Sequence, residues 1–117
     1  CNTGLFPDSN RGPRHTYEMA TLASLGDRKI VRLVADSVSH QATKESGHES
    51  EKPVAMLEHF FRMLVDDSSR VLDPTGGSGN ALRAAQNLHA AGGVFCELEE
   101  PYVKVFNKEQ ANAGIEV

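Results

Sequence analysis

Cysteine is scarce in this sequence: Cys1 and Cys96 are the whole complement of a 117-residue chain. Two cysteines without repeated spacing suggest neither a disulfide framework nor a cysteine-ligated zinc site, and they fit a reducing cytoplasm. Long apolar runs are missing as well. No stretch approaches the roughly 20 residues that cross a bilayer, and nothing reads as a signal peptide, so no membrane association is expected. Positive charge is also short. Twelve Lys and Arg face 16 Asp and Glu, a net charge of −4, which argues against a simple basic nucleic-acid binder. The deficit is uneven: residues 1–50 hold six basic and six acidic side chains, residues 51–117 six basic and ten acidic ones. His40 and His48 lie eight apart without partnering cysteines, so no metal site is expected. At this length the chain is one small domain or part of a larger one, and its start at Cys1 rather than Met suggests a fragment.

What the sequence does have is a glycine turn. Val71-Leu72 ends a short apolar run, Asp73-Pro74-Thr75-Gly76-Gly77-Ser78-Gly79-Asn80 follows, and Ala81-Leu82-Arg83-Ala84-Ala85 begins a helical pattern. In an open α/β sheet, ligands bind where a strand's carboxyl end meets a helix N-terminus. Glycine lets the backbone approach a ligand closely, and the unpaired N–H groups of the first helical turn face it. A phosphate loop is excluded, because Gly79 is followed by Asn80 and Ala81 rather than Lys and Ser or Thr. The dinucleotide fingerprint is incomplete, and the Asp73 carboxylate would repel a pyrophosphate. An acid at this position suits a cationic ligand, and S-adenosylmethionine, with its sulfonium and ammonium groups, is one.

The stretch Asp73-Pro74-Thr75-Gly76-Gly77-Ser78-Gly79 resembles the D-P-[FT]-x-G-S-G cofactor motif of amino-group DNA methyltransferases, the N6-adenine/N4-cytosine type. Lys52-Pro53, followed by Leu57, resembles the K-P-x-x-L motif that precedes the cofactor strand in circularly arranged members. Glu97, five residues before Tyr102, resembles the acid that ends the second strand and holds the ribose hydroxyls. The resemblance runs from Lys52 to about Lys108 and implies a Rossmann-like, S-adenosylmethionine-dependent methyltransferase α/β fold, here a partial sheet with flanking helices. The implied cofactor residues are Lys52, Pro53, Asp73, Pro74, Thr75, Gly76, Gly77, Ser78, Gly79, Asn80, Glu97 and Leu98. Asp73 would favour the cationic methionine end, and Glu97, 24 residues further on, lies near the ~20-residue spacing that brings an acid to a ribose in dinucleotide folds.

The family's catalytic tetrapeptide, Asp/Asn/Ser-Pro-Pro-aromatic, is absent: the five prolines at 7, 13, 53, 74 and 101 are never adjacent. In the circular order it would precede residue 1, so truncation is the most economical explanation. No catalytic residue is assigned, and the isolated chain is expected to be inactive. DNA is the implied partner of the full-length protein, with a DNA surface expected near Arg11, Arg14, Arg28, Lys29 and Arg32. The alternatives are a methyltransferase for RNA or a small molecule, and a catalytically empty Rossmann-like binding or assembly module.

Three segments are expected. Residues 1–34 read as a β-rich piece of the catalytic half: a loop to Pro13, then a hairpin with strands over 15–24 and 30–34 around Gly26-Asp27. Residues 35–51 are polar and read as a linker or mobile loop. Residues 52–117 form the cofactor-binding α/β part. There Pro53 begins a helix with Val54, Leu57, Phe60, Phe61 and Leu64 on one apolar face, ended by Asp66-Asp67-Ser68-Ser69. Arg70-Val71-Leu72 starts the central strand. A helix from Asn80 to about Ala91 stops at Gly92-Gly93, and Val94-Phe95-Cys96 makes the second strand, with Cys96 a small buried hydrophobe. Pro101 opens a last helix. An incomplete sheet predicts an exposed edge, and with it dimerisation or strand exchange.

Overall fold

The computed structural model describes residues 17–40 and 51–112. The described elements run α1 (Val54–Phe61), β1 (Arg70–Asp73), α2 (Asn80–Asn87), β2 (Gly92–Phe95) and α3 (Glu100–Asn112). β1 and β2 pair in parallel, Arg70 opposite Gly92 and Asp73 opposite Phe95. Parallel neighbours need a crossover, and α2 provides it, packing on both strands and on α1. The core is small and centred on α2. Leu82, Ala84 and Ala85 are buried, and Phe106 of α3 joins them. The apolar side chains of α1 are only half-buried.

The order of helices and strands matches the sequence expectation from Pro53 onward, but the boundaries shift. Pro53 is the N-cap of α1 rather than its first helical residue. α1 closes at Phe61, and the chain tightens through Met63 N–H to Phe60 and Leu64 N–H to Phe61 carbonyls at 3.1 and 2.9 Å, so Leu64 lies beyond the helix. The expected stop of α2 at Gly92-Gly93 is incorrect: those glycines open β2. The helix ends earlier because His89 takes φ 60, with Ala90 N–H bonded to the Ala85 carbonyl at 3.0 Å and His89 N–H to Gln86 at 2.9 Å. That pair of bonds is a Schellman cap, normally built on glycine. β2 ends at Phe95, one residue short of Cys96. Cys96 therefore lies in the turn and is exposed, not buried as expected.

Among the described residues the expected N-terminal hairpin is not formed. Residues 17–40 contain no strand, and all but Val34 are exposed; residues 1–16 and 41–50 lie outside the described residues. The segment is tied to the end of α1 instead. Val31 N–H donates to the Met63 carbonyl at 2.7 Å, Arg28 Nη2 to the Leu64 carbonyl at 2.5 Å and to Ser69 Oγ at 3.2 Å, and His59 Nε2 meets the Ala35 carbonyl at 2.8 Å. Lys29 pairs with Asp27 at 2.8 Å. Two of the five basic residues expected to form a DNA surface are thus engaged within the chain, and Arg11 and Arg14 lie outside the described residues.

The turn into β1 is stitched by Asp66. Its Oδ1 accepts from Ser68 N–H at 3.0 Å, Ser68 Oγ at 2.7 Å and Ser69 Oγ at 2.8 Å. These bonds, Ser68 first, lower its carboxyl from 3.8 to about 2. A depressed native pKa gives stability that is whole above the unfolded value and lost as pH falls through the native one. Denaturation midpoints should therefore fall between about pH 4 and pH 2, and Asp66→Asn should flatten that part of the profile. At the α2 cap, His89→Gly relieves a left-handed side chain, a strain of about 1 kcal/mol, partly offset by added unfolded-state freedom. Chemical denaturation should show it more stable than the native chain.

Candidate functional site

The carboxyl ends of both strands and the first turn of α2 converge on residues 73–80. Asp73 closes β1, and its Oδ1 accepts the Thr75 N–H at 3.1 Å, a turn that the short Asp side chain can close on its own backbone. Pro74 is exposed. The end of β2 clasps the same bend: Cys96 N–H donates to the Asp73 carbonyl at 2.9 Å and Gly76 N–H to the Cys96 carbonyl at 2.8 Å. Gly79, with φ 82, is the N-cap of α2 and donates to the Gly76 carbonyl at 2.8 Å.

Two aromatic rings support this turn. Phe95 of β2 and Phe106 of α3 stack with centroids 4.3 Å apart and planes 7° from parallel. A Cβ on Gly76 would collide with the Phe95 ring, and one on Gly79 with the Phe106 ring. The glycines at these two places are therefore required by what lies against them, quite apart from any ligand.

The other side of the turn walls a cleft of about 150 Å³, lined by Glu51, Lys52, Leu57, Asp73, Thr75, Gly76, Gly77, Ser78, Asn80 and Ala81. Seven of the twelve residues expected to bind cofactor are in this lining. Pro53 is buried at the start of α1, Gly79 is buried at the start of α2, and Leu98 is fully exposed. Glu97 is not in the lining. Its Oε2 accepts the Gly77 N–H at 2.7 Å, while Oε1 accepts from Leu98 and Glu99 N–H at 2.7 and 2.9 Å.

Charge in the cleft is mixed and held in place. Lys52 Nζ meets Glu18 Oε2 at 2.9 Å, and that bond holds the Glu18 carboxyl below its usual range. Asn80, 7 % exposed, ties the wall together. Its Nδ2 donates to Glu51 Oε1 at 2.8 Å and to the Lys52 carbonyl at 2.9 Å, and its Oδ1 accepts from Arg83. Arg83 in turn pairs with Glu109 of α3. Sequence reasoning missed Glu51, Arg83 and the stacking of Phe95 on Phe106. The Lys-Pro motif also departs from its pattern, with Met56 at the spacing the motif gives to Leu, and Leu57 lining the cleft.

A parallel strand pair, an acidic strand tip, a glycine turn and a helix N-terminus define an α/β chain with a small ligand-type cleft at the strand ends. The chain belongs to the DNA methylase family: the family model with that description, of the N6/N4 methyltransferase kind, matches residues 8–108. Neither a curated protein nor a solved structure gives a significant match.

Gly79→Ala places a side chain in left-handed backbone and against a buried ring, for a cost of about 2–4 kcal/mol. Gly92→Ala meets open space and should stay within about 0.5 kcal/mol of the native chain. Denaturant titration of the two variants, side by side, separates a packed turn from a generally glycine-sensitive chain.

Proposed function

We propose that this chain is the S-adenosylmethionine-binding portion of a DNA methyltransferase that modifies an exocyclic amine of adenine or cytosine, acting in the cytoplasm. The observation that carries the reading is the gathering of Asp73, Lys52 and the glycine turn around one cleft. S-adenosylmethionine supplies an electrophilic methyl group, and the chain's residues have only to hold and orient it. Asp73 and Glu51 are acceptors suited to its cationic groups, and Lys52 is a donor suited to its carboxylate, in competition with Glu18. Glu97 is the acid for the ribose hydroxyls, and Pro53, Pro74, Gly79 and Leu98 complete the contact set. A volume of about 150 Å³ is below the roughly 300–1,000 Å³ of ordinary ligand pockets, so the cleft as it stands suits the amino-acid end of the cofactor rather than the whole.

Methyl transfer to an amine is an in-line displacement governed by positioning, and the base must first leave the duplex. Those tasks need groups beyond the cleft. Without a Pro-Pro tetrapeptide in this sequence, the chain alone should not methylate DNA. Each strand of the pair is bonded to a single described neighbour, an arrangement that favours completion by strand exchange or a second copy.

Titration calorimetry with S-adenosylhomocysteine is expected to show binding to the folded chain, weakened about tenfold or more by Asp73→Ala, the value of a charged hydrogen bond. Absence of heat from protein whose circular dichroism is native would overturn the cofactor reading.

A further inference from the structure

Gly77 has left-handed backbone, φ 51, and is buried between the cleft and Glu97. Its N–H is held by one carboxylate oxygen of Glu97 while the other oxygen takes two N–H groups at the start of α3. We propose that Glu97 is a positioning residue for the glycine turn: its carboxylate latches Gly77, fixing the cleft wall from behind. This rests on the reading of residues 73–80 as a cofactor turn and adds a task to the acid beyond ribose contact.

The geometry has a consequence for ligand entry. An ionised carboxylate offers about four lone-pair sites, and at least three backbone donors use them. A vicinal diol brings two more donors, more than the carboxylate can accept. The two bonds to Leu98 and Glu99 are local, one and two residues away, whereas the bond to Gly77 spans 20 residues. Of these three backbone donors the diol displaces Gly77, whose release does not unmake the start of α3. Release of Gly77 also joins Glu97 to the cleft from which that residue now separates it. The latched turn is the closed form, and a ribose is the key.

The test follows the Gly77 amide in the full chain labelled with ¹⁵N. Its proton resonance should lie downfield and move upfield as acid protonates the latch, and Glu97→Gln should remove that response. Asp73, Glu99 and Glu100 are further carboxylates on the two segments that Glu97 joins, so the Gln variant assigns the effect. S-adenosylhomocysteine should move the Gly77 amide the way acid does, and its 2′-deoxy counterpart should not. The Gln variant should bind S-adenosylhomocysteine about tenfold more weakly. A Gly77 amide indifferent both to acid and to Glu97→Gln would overturn the latch, and the wild-type titration reads this even where the variant fails to fold. A Gly77 amide unmoved by bound S-adenosylhomocysteine would overturn the hand-over. A responsive latch in a chain that binds no S-adenosylhomocysteine would support the positioning role and end the cofactor reading alone.

Discussion

Two phenyl rings in contact set the shape of everything around the β1 tip. Phe95 ends the second strand and Phe106 lies on the helix that follows it, and their near-parallel stack fills the space that side chains at 76 and 79 would otherwise need. Aromatic pairs of this kind add about 0.5–1.5 kcal/mol beyond the area they bury. In a core with only four buried hydrophobic residues among those described, that is a substantial share. The stack also fixes the distance between α3 and the turn, which brings Glu97 within reach of Gly77. Remove either ring and the glycine turn loses its floor.

A second set of bonds governs the cleft from the opposite side. Asn80 makes one hydrogen bond to a charged side chain, one to a backbone carbonyl and one from a guanidinium, so every polar atom of its amide is committed. Through Arg83 and Glu109 the same network reaches α3, and Gln86 adds a bond to Gln110 at 2.5 Å. Buried polar networks of this kind are valuable only when complete. Here no buried side-chain polar atom lacks a partner among the described residues. The residue after the final glycine of the motif thus positions the cleft through its bonds to the Glu51-Lys52 segment.

The part of the chain from Lys52 onward was legible because its signals are local. Apolar residues at helical spacing, proline at a helix start and the run of glycines after an apolar pair each report on a few neighbouring residues. The resemblance to amino-group DNA methyltransferases, drawn from three short motifs, agrees with the family match over residues 8–108. What was not legible depends on distant partners. Tyr17 and Met19 alternate as a strand would, yet β propensity is realised only in a suitable tertiary context, and in the structure a backbone tie of this segment runs from Val31 to Met63, just beyond α1. The end of α2 was misplaced for a different reason. A left-handed His89 carries no mark in the sequence, whereas Gly92-Gly93 does, and the visible signal was taken for the operative one.

Leu72 of β1 and Val94 of β2 sit at directly paired positions and are 64 % and 52 % exposed. They share one face of the sheet, and α2 occupies the other, where Leu82 lies against Gly93. An isolated strand pair of four residues a side is marginal in water, and packing on α2 is what holds it here. The glycine turn, however, is set by backbone bonds from β2 to β1 at the very tip of the pair, so anything that frays the strands also loosens the turn. Covering Leu72 and Val94, by further strands or by a helix on their face, would stiffen the cleft without touching it. The geometry of the cleft is therefore tied to how completely this sheet is covered, and the charged groups around it are placed only as well as the strands beneath them hold.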